Sequence, residues 1–202
     1  LTGRQVFHLQ NVSMGYGDKI VLRNVSFNVE MKDHVAIVGL NGAGKSTFLK
    51  TLAGAISPIK GKIETGYQVS HAYYAQHVAE ALNPHHTVLD ALTEAAHENV
   101  LRQSILNLAG ALLFSGDHIK KKISILSGGE KSRVAIGRML LQKSPCLIMD
   151  EPTNHLDFQT VEALTQALMA YEGTVILVSH DRSFIRRIGT KILEIHDGLA
   201  EL

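Results

Sequence analysis

The stretch from residue 39 to residue 46, Gly-Leu-Asn-Gly-Ala-Gly-Lys-Ser, constrains the fold most, because it matches the pattern G-x-x-x-x-G-K-[ST] without a gap. It follows an apolar run at 34–38, which is typical of a strand buried on both faces of a parallel sheet. A predicted helix at 46–52 comes directly after it. The alternative is a glycine-rich turn, but Lys45 and Ser46 in this position favour a phosphate-binding loop. There the ammonium of Lys45 reaches phosphate oxygens and the hydroxyl of Ser46 ligates Mg²⁺.

The hydrophobic pattern elsewhere predicts an α/β protein. Alternating polar and apolar residues indicate half-buried strands at 6–12 and 25–29, and further strands are predicted at 61–64 and 69–75. The last third alternates between helices at 133–142, 156–171 and 181–188 and strands at 146–149, 174–178 and 191–195. The segment between these parts is rich in Ala and Leu, with predicted helices at 87–96 and 101–114. We therefore expect one domain over 1–202, with an α/β core at 1–76 and 134–202 and a helical subdomain inserted at 77–133.

Two acids and a histidine are expected at one edge of the sheet. Asp150 and Glu151 end the apolar strand at 146–149, and His180 follows the strand at 174–178. Ligands of open α/β sheets gather at the carboxyl ends of strands. There Asp150 can hold Mg²⁺, Glu151 can polarise a water for attack on a phosphate, and His180 can hydrogen-bond that phosphate or water. The alternatives are a pair of surface acids and a histidine that is only a satisfied polar side chain.

Three further features carry less information alone. Gln76 follows the predicted strand 69–75, and its amide oxygen can contact Mg²⁺ or water, although an isolated glutamine has no functional meaning. Tyr16, between Gly15 and Gly17, can stack on adenine or be a turn residue. The run at 120–122, Lys-Lys-Lys, is by default a solvated face that can also touch RNA phosphates.

The sequence Leu-Ser-Gly-Gly-Glu-Lys-Ser-Arg at 126–133 predicts a helix start, and it contains two glycines that a helix start does not need. Ser127 and Glu130 have the spacing of a capping box. Such a box gives no reason for Gly128 and Gly129, since each glycine costs roughly 1 kcal/mol of helix propensity relative to alanine. Bare backbone at a helix N-terminus suits the close approach of an anion.

Composition excludes several classes of protein. The chain is 45% hydrophobic and 19% charged with a formal net charge of +1, so it is expected to be globular without a global field that attracts nucleic acid or membrane. No apolar run approaches the roughly 18 residues of a membrane-spanning helix. The single cysteine, Cys146, is expected to be a buried thiol, and the 11 histidines form no metal-ligand pattern with it. A reducing cytoplasm is the simplest compartment, and the start at Leu1 without a methionine suggests a domain excised from a longer chain.

The order of these motifs resembles the nucleotide-binding domain of ATP-binding-cassette (ABC) proteins. The motifs are the phosphate loop, Gln76, Leu-Ser-Gly-Gly-Glu at 126–130, Leu-Ile-Met-Asp-Glu-Pro at 147–152 and Ser-His-Asp at 179–181. Within that superfamily, Glu-Pro-Thr-Asn-His-Leu-Asp at 151–157 is similar to the ABC-F family, whose members carry two such domains on one chain. The segment between Gln76 and Ser127 is too short for the long arm of a first domain, so the chain resembles the second, carboxyl-terminal one.

This resemblance implies the P-loop NTPase fold, with a mostly parallel central sheet, an antiparallel β edge and an inserted α-helical subdomain. It implies ATP and Mg²⁺ as cofactors, with Ser46, Gln76 and Asp150 attending the metal, Glu151 as general base and His180 as switch histidine. Adenine would stack on Tyr16, and the ATP phosphates would be held by Gly39, Leu40, Asn41, Gly42, Ala43, Gly44, Lys45, Ser46 and Thr47.

The resemblance also implies partners. Ser127, Gly128 and Gly129 would close in trans on the γ-phosphate of ATP held by a sister domain packed head to tail, and the parent protein would act on the ribosome, near its tRNA and rRNA. Two alternatives stay open: the ATPase subunit of a membrane ABC transporter, and a nucleotide-dependent clamp without turnover. The carboxylate of Glu151 speaks against the clamp, and Asn-His before Leu-Asp at 154–157 speaks against the transporter.

Overall fold

The structure is a computed structural model that describes residues 4–189 and 191–202, without the side chain of Gln76. Its elements are, in chain order, β1 (Gln5–Tyr16), β2 (Lys19–Glu30), β3 (His34–Gly39), α1 (Lys45–Leu52), β4 (Lys60–Thr65), β5 (His71–Tyr74), α2 (Gln76–Glu80), α3 (Val88–Ala95), α4 (Arg102–Ala111), α5 (Gly128–Leu141), β6 (Cys146–Asp150), α6 (Phe158–Met169), β7 (Thr174–Val178), α7 (Arg182–Ile188), β8 (Lys191–His196) and β9 (Leu199–Glu201). Short 3₁₀ turns lie at Gly116–Lys120 and Ile123–Ile125.

The chain divides into two compact units. The first consists of Leu1–Tyr73, Pro145–Glu151 and Tyr171–Leu202, and the second of Tyr74–Ser144 and Pro152–Ala170. The predicted helical insert at 77–133 falls inside the second unit. That unit also takes in α5 and α6, which the sequence analysis placed in the α/β core.

The strands form two sheets. A three-stranded antiparallel sheet has the order β2-β1-β4, and a six-stranded sheet has the order β5-β6-β7-β3-β8-β9. Neighbours β6/β7, β7/β3 and β3/β8 pair in parallel, while β9 runs antiparallel to β8. The expected mostly parallel sheet and antiparallel β edge are therefore both present. Because these parallel strands share a direction, their carboxyl ends lie at the same edge.

The core of the first unit explains why β3, β6 and β7 read as continuous apolar runs. All five residues of β7 and the first four of β6 are buried, as is usual for parallel strands covered on both faces. From α1, Phe48 and Leu49 add fully buried side chains to the same cluster. The core thereby holds the phosphate-loop helix against the strands that carry the acids.

The second unit has its own apolar cluster, which includes Leu92 of α3, Ala109 of α4 and Val134 of α5. A Cβ at Gly137 would come within 2.8 Å of side-chain atoms of both Leu92 and Leu112, so these helices approach α5 closely where it has no side chain. This packing, which depends on side chains distant in sequence, draws α5 into the helical unit.

Several predicted bounds were wrong by a few residues for local reasons. The helix predicted from 133 begins at Gly128, because the capping box at Ser127 starts it earlier. The helix predicted over 156–171 covers only Phe158–Met169, with Asp157 as its N-cap. The helix predicted to 114 ends at Ala111, and Leu113 adopts the left-handed conformation at φ 67°. The strands predicted at 6–12 and 25–29 are longer, because β1 and β2 continue through bulges into a hairpin that closes at Tyr16 and Lys19.

Candidate functional site

The loop between β3 and α1 leaves the start of α1 without a side-chain cap. The N-cap residue is Gly44, and no side chain accepts a hydrogen bond from the first turn. Side-chain oxygens of Thr87, Ser127, Asp157 and Asp181 cap α3, α5, α6 and α7, whereas α2 and α4, like α1, have no side-chain cap. The first backbone N–H groups of an α-helix have no partner within the helix. This helix start therefore keeps donors for an anion.

Two glycines of the loop are required by its geometry. At Gly44, φ is +111°, and a Cβ would lie 2.7 Å from Cγ1 of Val21. At Gly39, a Cβ would lie 2.5 Å from the carbonyl oxygen of Ile195. Any side chain at these positions would displace either the loop or the neighbouring strand.

Lys45 directs its ammonium into the loop. Its Nζ donates to the carbonyl oxygens of Gly39 at 2.6 Å and Leu40 at 3.0 Å, and the residue is only 8% exposed. Ser46, next along the helix, is exposed, whereas Thr47 is buried. The loop therefore combines one held cation, bare helix-start amides and an accessible hydroxyl.

The structure brings the three predicted residues of the sheet edge together. Asp150 is the last residue of β6 and lies opposite Val178 of β7 in the parallel ladder. The backbone N–H of Glu151 donates to the carbonyl of Val178 at 2.8 Å. Oε2 of Glu151 accepts from the backbone N–H of His180 at 3.2 Å, and its Oε1 lies 3.0 Å from Nε2 of His180. Carboxylate and imidazole thus form a two-point contact.

Glu151 sits in an unusual conformation and environment. Its φ of 49° is left-handed, which is uncommon for a residue with a side chain and often marks functional sites. Burial raises the pKa of its carboxyl above the ordinary value; His180 and Lys45 oppose this rise, and the Asp150 carboxylate adds to it. The Glu151 side chain is 18% exposed and that of His180 is 57% exposed, so the pair is still open to solvent. A carboxylate with a raised pKa is a stronger base than an ordinary glutamate.

Tyr16 lies against α1, close to the phosphate loop. Its hydroxyl is 3.5 Å from Oγ1 of Thr47, and Nζ of Lys50 lies 5.9 Å from the centre of its ring. The residue is 47% exposed. It is also the last residue of β1, directly before Gly17, which is left-handed. Tyr16 therefore borders a turn and also exposes part of its ring, so both interpretations remain open.

Two other predictions have different outcomes. The side chain of Gln76 lies outside the described part of the chain, so its predicted contact with Mg²⁺ stays a prediction. Cys146 is fully buried, and burial raises the pKa of its thiol to about 12, which confirms an unreactive structural thiol.

The second unit contains the predicted capping box in full. The hydroxyl oxygen of Ser127 accepts from the N–H of Glu130 at 3.2 Å, and the carboxylate of Glu130 accepts from the N–H of Ser127 at 3.1 Å. The hydrogen bond from the Ser127 N–H is the main cause that lowers the pKa of the Glu130 carboxyl; burial opposes it, and the Ser127 hydroxyl lowers the pKa further.

The paired glycines differ in their surroundings. Apart from chain neighbours and the backbone of α5, no heavy atom of the described residues lies within 4 Å of a Cβ built at Gly128, whereas one built at Gly129 would lie 3.0 Å from the carbonyl oxygen of His155. Within the second unit, Gly128 therefore borders open space. A cavity of about 280 Å³ adjoins the two glycines and is lined by Ala79, Glu80, Gly128, Gly129, Lys131, Ser132 and His155.

The contacts of two residues beside these features, Lys50 and His155, were not predicted from the sequence. Lys50 contacts the ring of Tyr16, and its only sequence signal is its place one turn after Ser46. His155 adopts a left-handed conformation at φ 63° and approaches Gly129 through its carbonyl, so its contribution is made by the backbone. His155 lies two residues before the N-cap Asp157, and nothing in the sequence around it predicts the left-handed conformation.

The donor set of the first unit fits magnesium. Within residues 4–189 and 191–202 there is no cluster of three or more His, Cys, Asp or Glu side chains able to hold a metal. Mg²⁺ is commonly held by one or two carboxylates together with substrate phosphates, so the oxygens of Asp150 and Ser46 are a suitable pair. None of the helices in the described residues is long and apolar enough to cross a membrane.

Comparison with known proteins places these features in context. A family profile described as ABC transporter matches residues 22–154. The chain is 41% identical over 99% of its length to ABC transporter F family member 5 of Arabidopsis thaliana and covers 29% of that protein. It is 44% identical over 96% of its length to the putative ATP-binding protein YdiF of Bacillus subtilis (strain 168) and covers 30% of it. The chain thus spans about 30% of the length of these relatives.

Solved structures agree with the fold. The chain is similar to the ATP binding subunit of an ABC transporter, with a TM-score of 0.77, 27% identity, and coverage of 98% of this chain and 88% of that one. A second similar structure is described as the dimeric structure of a post-hydrolysis state of the ATP-binding cassette MJ0796 bound to ADP and Pi. Its TM-score is 0.78 at 26% identity, covering 97% of both chains. The expected P-loop NTPase fold is confirmed.

Proposed function

The chain belongs to the ABC transporter family, and from this premise we propose that it is the ATP-binding and ATP-hydrolysing second domain of an ABC-F protein that acts on the ribosome. The contact between Glu151 and His180 at the carboxyl edge of the sheet carries the catalytic part of this proposal. The reaction is the attack of water on the γ-phosphate of ATP, giving ADP and phosphate.

The binding of ATP is assigned to the loop at 39–47. The uncapped N-terminus of α1 offers N–H donors to the phosphates, and its dipole favours their negative charge. Lys45 exchanges its carbonyl partners for phosphate oxygens, which accept a stronger, charge-assisted hydrogen bond. Adenine stacks on the exposed ring of Tyr16.

Magnesium is assigned to the oxygens of Ser46 and Asp150, with Gln76 as a third contact. When bound, Mg²⁺ neutralises charge on the phosphate oxygens. The Ser46 hydroxyl and the Asp150 carboxylate orient this ion from two elements, α1 and β6, that belong to one core cluster.

Glu151 is assigned the general base. Its pKa, raised chiefly by burial, increases its ability to take a proton from the attacking water. The backbone N–H of His180 holds Oε2, and the imidazole contacts Oε1. His180 therefore positions the base and can itself donate to the phosphate.

Tandem closure is assigned to the start of α5. The backbone beside exposed Gly128 suits a γ-phosphate brought by a sister domain, and the Ser127 hydroxyl is assigned to the same contact. The dimeric state of the similar cassette bound to ADP and Pi supports this arrangement. Each domain alone then carries halves of two sites, so efficient turnover requires the pair.

The ribosome role is our proposal from the resemblance to ABC-F proteins, which the sequence Asn-His-Leu-Asp at 154–157 carries. Membership of that family is supported by 41% identity with an F family member and 44% identity with a putative ATP-binding protein. ATP-driven closure would time the occupancy of the ribosome in translation, and the cytoplasm is the matching compartment. ATP binding closes the domains and hydrolysis opens them.

Co-sedimentation tests this role. The full-length Glu151→Gln protein should pellet with purified ribosomes in ATP and stay in the supernatant with ADP. Glu172 is an exposed acid between α6 and β7, and the matched variant Glu172→Gln should behave as wild type. A Glu151→Gln protein that stays in the supernatant with ATP would overturn the ribosome role.

One alternative has support of its own. The chain is similar in structure to the ATP binding subunit of an ABC transporter, at 27% identity. That function predicts that the Glu151→Gln protein co-purifies with a membrane permease instead of ribosomes. A clamp without turnover is disfavoured because Glu151 retains its carboxylate beside His180.

A further inference from the structure

A segment outside the nucleotide site concentrates positive charge. Residues 182–191 contain three arginines and one lysine and no acidic residue, although the formal net charge of the whole chain is only +1. Helix α7 forms the first part of this segment. The charge is therefore a local feature of one helix, not a consequence of overall composition.

The apolar side of α7 is anchored in the first unit. Phe184, Ile185 and Ile188 are buried, and the carbonyl oxygen of Ile188 lies 3.2 Å from Nδ1 of His34. Asp181 caps the helix by accepting from the N–H of Phe184 at 3.0 Å. The helix thus has a defined orientation, and its polar side faces solvent.

Arg182 and Arg186 lie on that polar side, one helical turn apart, and both are exposed. A rise of 1.5 Å per residue separates them by about 6 Å along the helix axis. Among the residues that the structure describes, neither guanidinium has an ion-pair or hydrogen-bond partner, whereas Lys191 pairs with Asp33 at 2.8 Å. Arg187 is also exposed, but it has a contact within the protein and is not counted among the unpaired arginines.

We propose that the surface formed by Arg182 and Arg186 binds the phosphate backbone of structured RNA. This inference deepens the proposed ribosome role and rests on it. Guanidinium groups match phosphates through paired N–H donors, and a phosphate contact needs no reading of bases. Because the buried side already fixes the helix backbone, ordering on binding is confined to the two arginine side chains.

A membrane surface is a poorer partner for the same charge. Helices that lie in a membrane interface insert apolar side chains between lipids. The apolar side chains of α7 are instead buried in the protein core. The charge on α7 is therefore suited to a polyanion contacted from outside, such as an RNA helix.

The test uses the full-length protein and a fluorescein-labelled RNA hairpin. The double variant Arg182→Gln/Arg186→Gln should bind the hairpin about tenfold more weakly at about 50 mM salt, and the slope of log affinity against log salt should fall by about 1 to 2. ATP binding should not change. Arg182→Lys/Arg186→Lys, which keeps the charge, should retain the wild-type salt slope.

A matched pair of cations lies in the second unit, where Lys120 and Lys122 are exposed. The variant Lys120→Gln/Lys122→Gln should bind the hairpin as wild type does. Equal losses in both double variants, unchanged affinity in the arginine variant, no hairpin binding by the wild type, or stronger binding to phosphatidylserine vesicles than to RNA would each overturn the proposal. If the wild type binds the hairpin through these arginines but the full-length Glu151→Gln protein does not pellet with ribosomes in ATP, the ribosome role is refuted and the RNA surface stands.

Discussion

Glu151 and His180 meet through two contacts although 29 residues separate them in sequence. One contact joins the carboxylate to the backbone N–H of His180 at 3.2 Å, and the other joins it to Nε2 at 3.0 Å. The pairing of Asp150 with Val178 in the parallel sheet brings the ends of β6 and β7 together and thereby makes both contacts possible. The sheet thus places the partly buried carboxylate of Glu151 beside His180.

Replacing Glu151 with glutamine should separate binding from turnover. Glu151→Gln keeps an oxygen for the N–H of His180 but has no base, so the full-length protein should bind ATP normally while hydrolysis slows by about 10² or more, about 3 kcal/mol of barrier. Steady-state phosphate release and ATP titration measure the two quantities. Glu172→Gln is the control, and unchanged turnover in Glu151→Gln would remove Glu151 from the base role.

The same substitution should change stability in a pH-dependent way. Because burial raises the pKa of the Glu151 carboxyl, its stabilising contribution is present at low pH and is lost as pH rises through the raised pKa. Glu151→Gln should therefore have a higher Tm than wild type at pH 8, and this difference should shrink as the pH falls toward the pKa. Thermal unfolding across pH tests this, and a difference that grows on acidification would contradict the assigned direction.

Removal of the loop ammonium should weaken nucleotide binding itself. In Lys45→Ala the only cation that the structure holds at the carbonyls of Gly39 and Leu40 is lost, so the Kd for ATP should rise by about tenfold or more. Calorimetric titration measures the Kd, and thermal unfolding checks that the Lys45→Ala protein is folded. Lys143→Ala removes an exposed lysine elsewhere and should bind normally. An unaltered Kd in Lys45→Ala contradicts the phosphate-loop assignment.

Substitutions at Tyr16 distinguish adenine stacking from a turn role. Tyr16→Phe keeps the ring and loses only the hydroxyl contact with Thr47, so it should bind ATP nearly as well as wild type. Tyr16→Ala should weaken ATP binding by about 1 kcal/mol while leaving the affinity for tripolyphosphate, which has no base, unchanged. Equal losses for both ligands, or a large drop in Tm, would indicate that Tyr16 serves the hairpin turn.

Gly128→Ala should raise the stability of the domain and lower the ATPase activity of the full-length protein. Apart from its chain neighbours and the backbone of its own helix, no described heavy atom lies within 4 Å of the added Cβ. Alanine favours helix over glycine, so stability should rise by up to about 1 kcal/mol. In the full-length protein the same methyl group would stand between the helix start and the partner's phosphate, so ATPase activity should fall at least tenfold. Gly110→Ala, which also borders open space within α4, should keep full activity.

The order of elements and the position of the glycine-rich loop between a strand and a helix could be predicted from sequence because both are local. The strand before Gly39, the pattern ending in Lys45 and Ser46, and the capping box at Ser127 and Glu130 each depend on neighbours a few residues away. A buried strand needs a continuous apolar run and a helix start needs a cap, so each leaves a readable pattern. These parts of the prediction agree with the structure.

Other features were decided by tertiary packing. The approach of Tyr16 to Lys50, the contact of Glu151 with His180 and the exposure of Arg182 on α7 all depend on which strands pair and which helix faces are buried. Even the extent of the helical unit followed from side chains that meet across α3, α4 and α5. The sequence by itself therefore determined which groups are available, through short-range periodicity and capping. Only the folded chain decided which of them meet, because contacts between distant residues are set by the parallel register of the sheet and by the packing of its core.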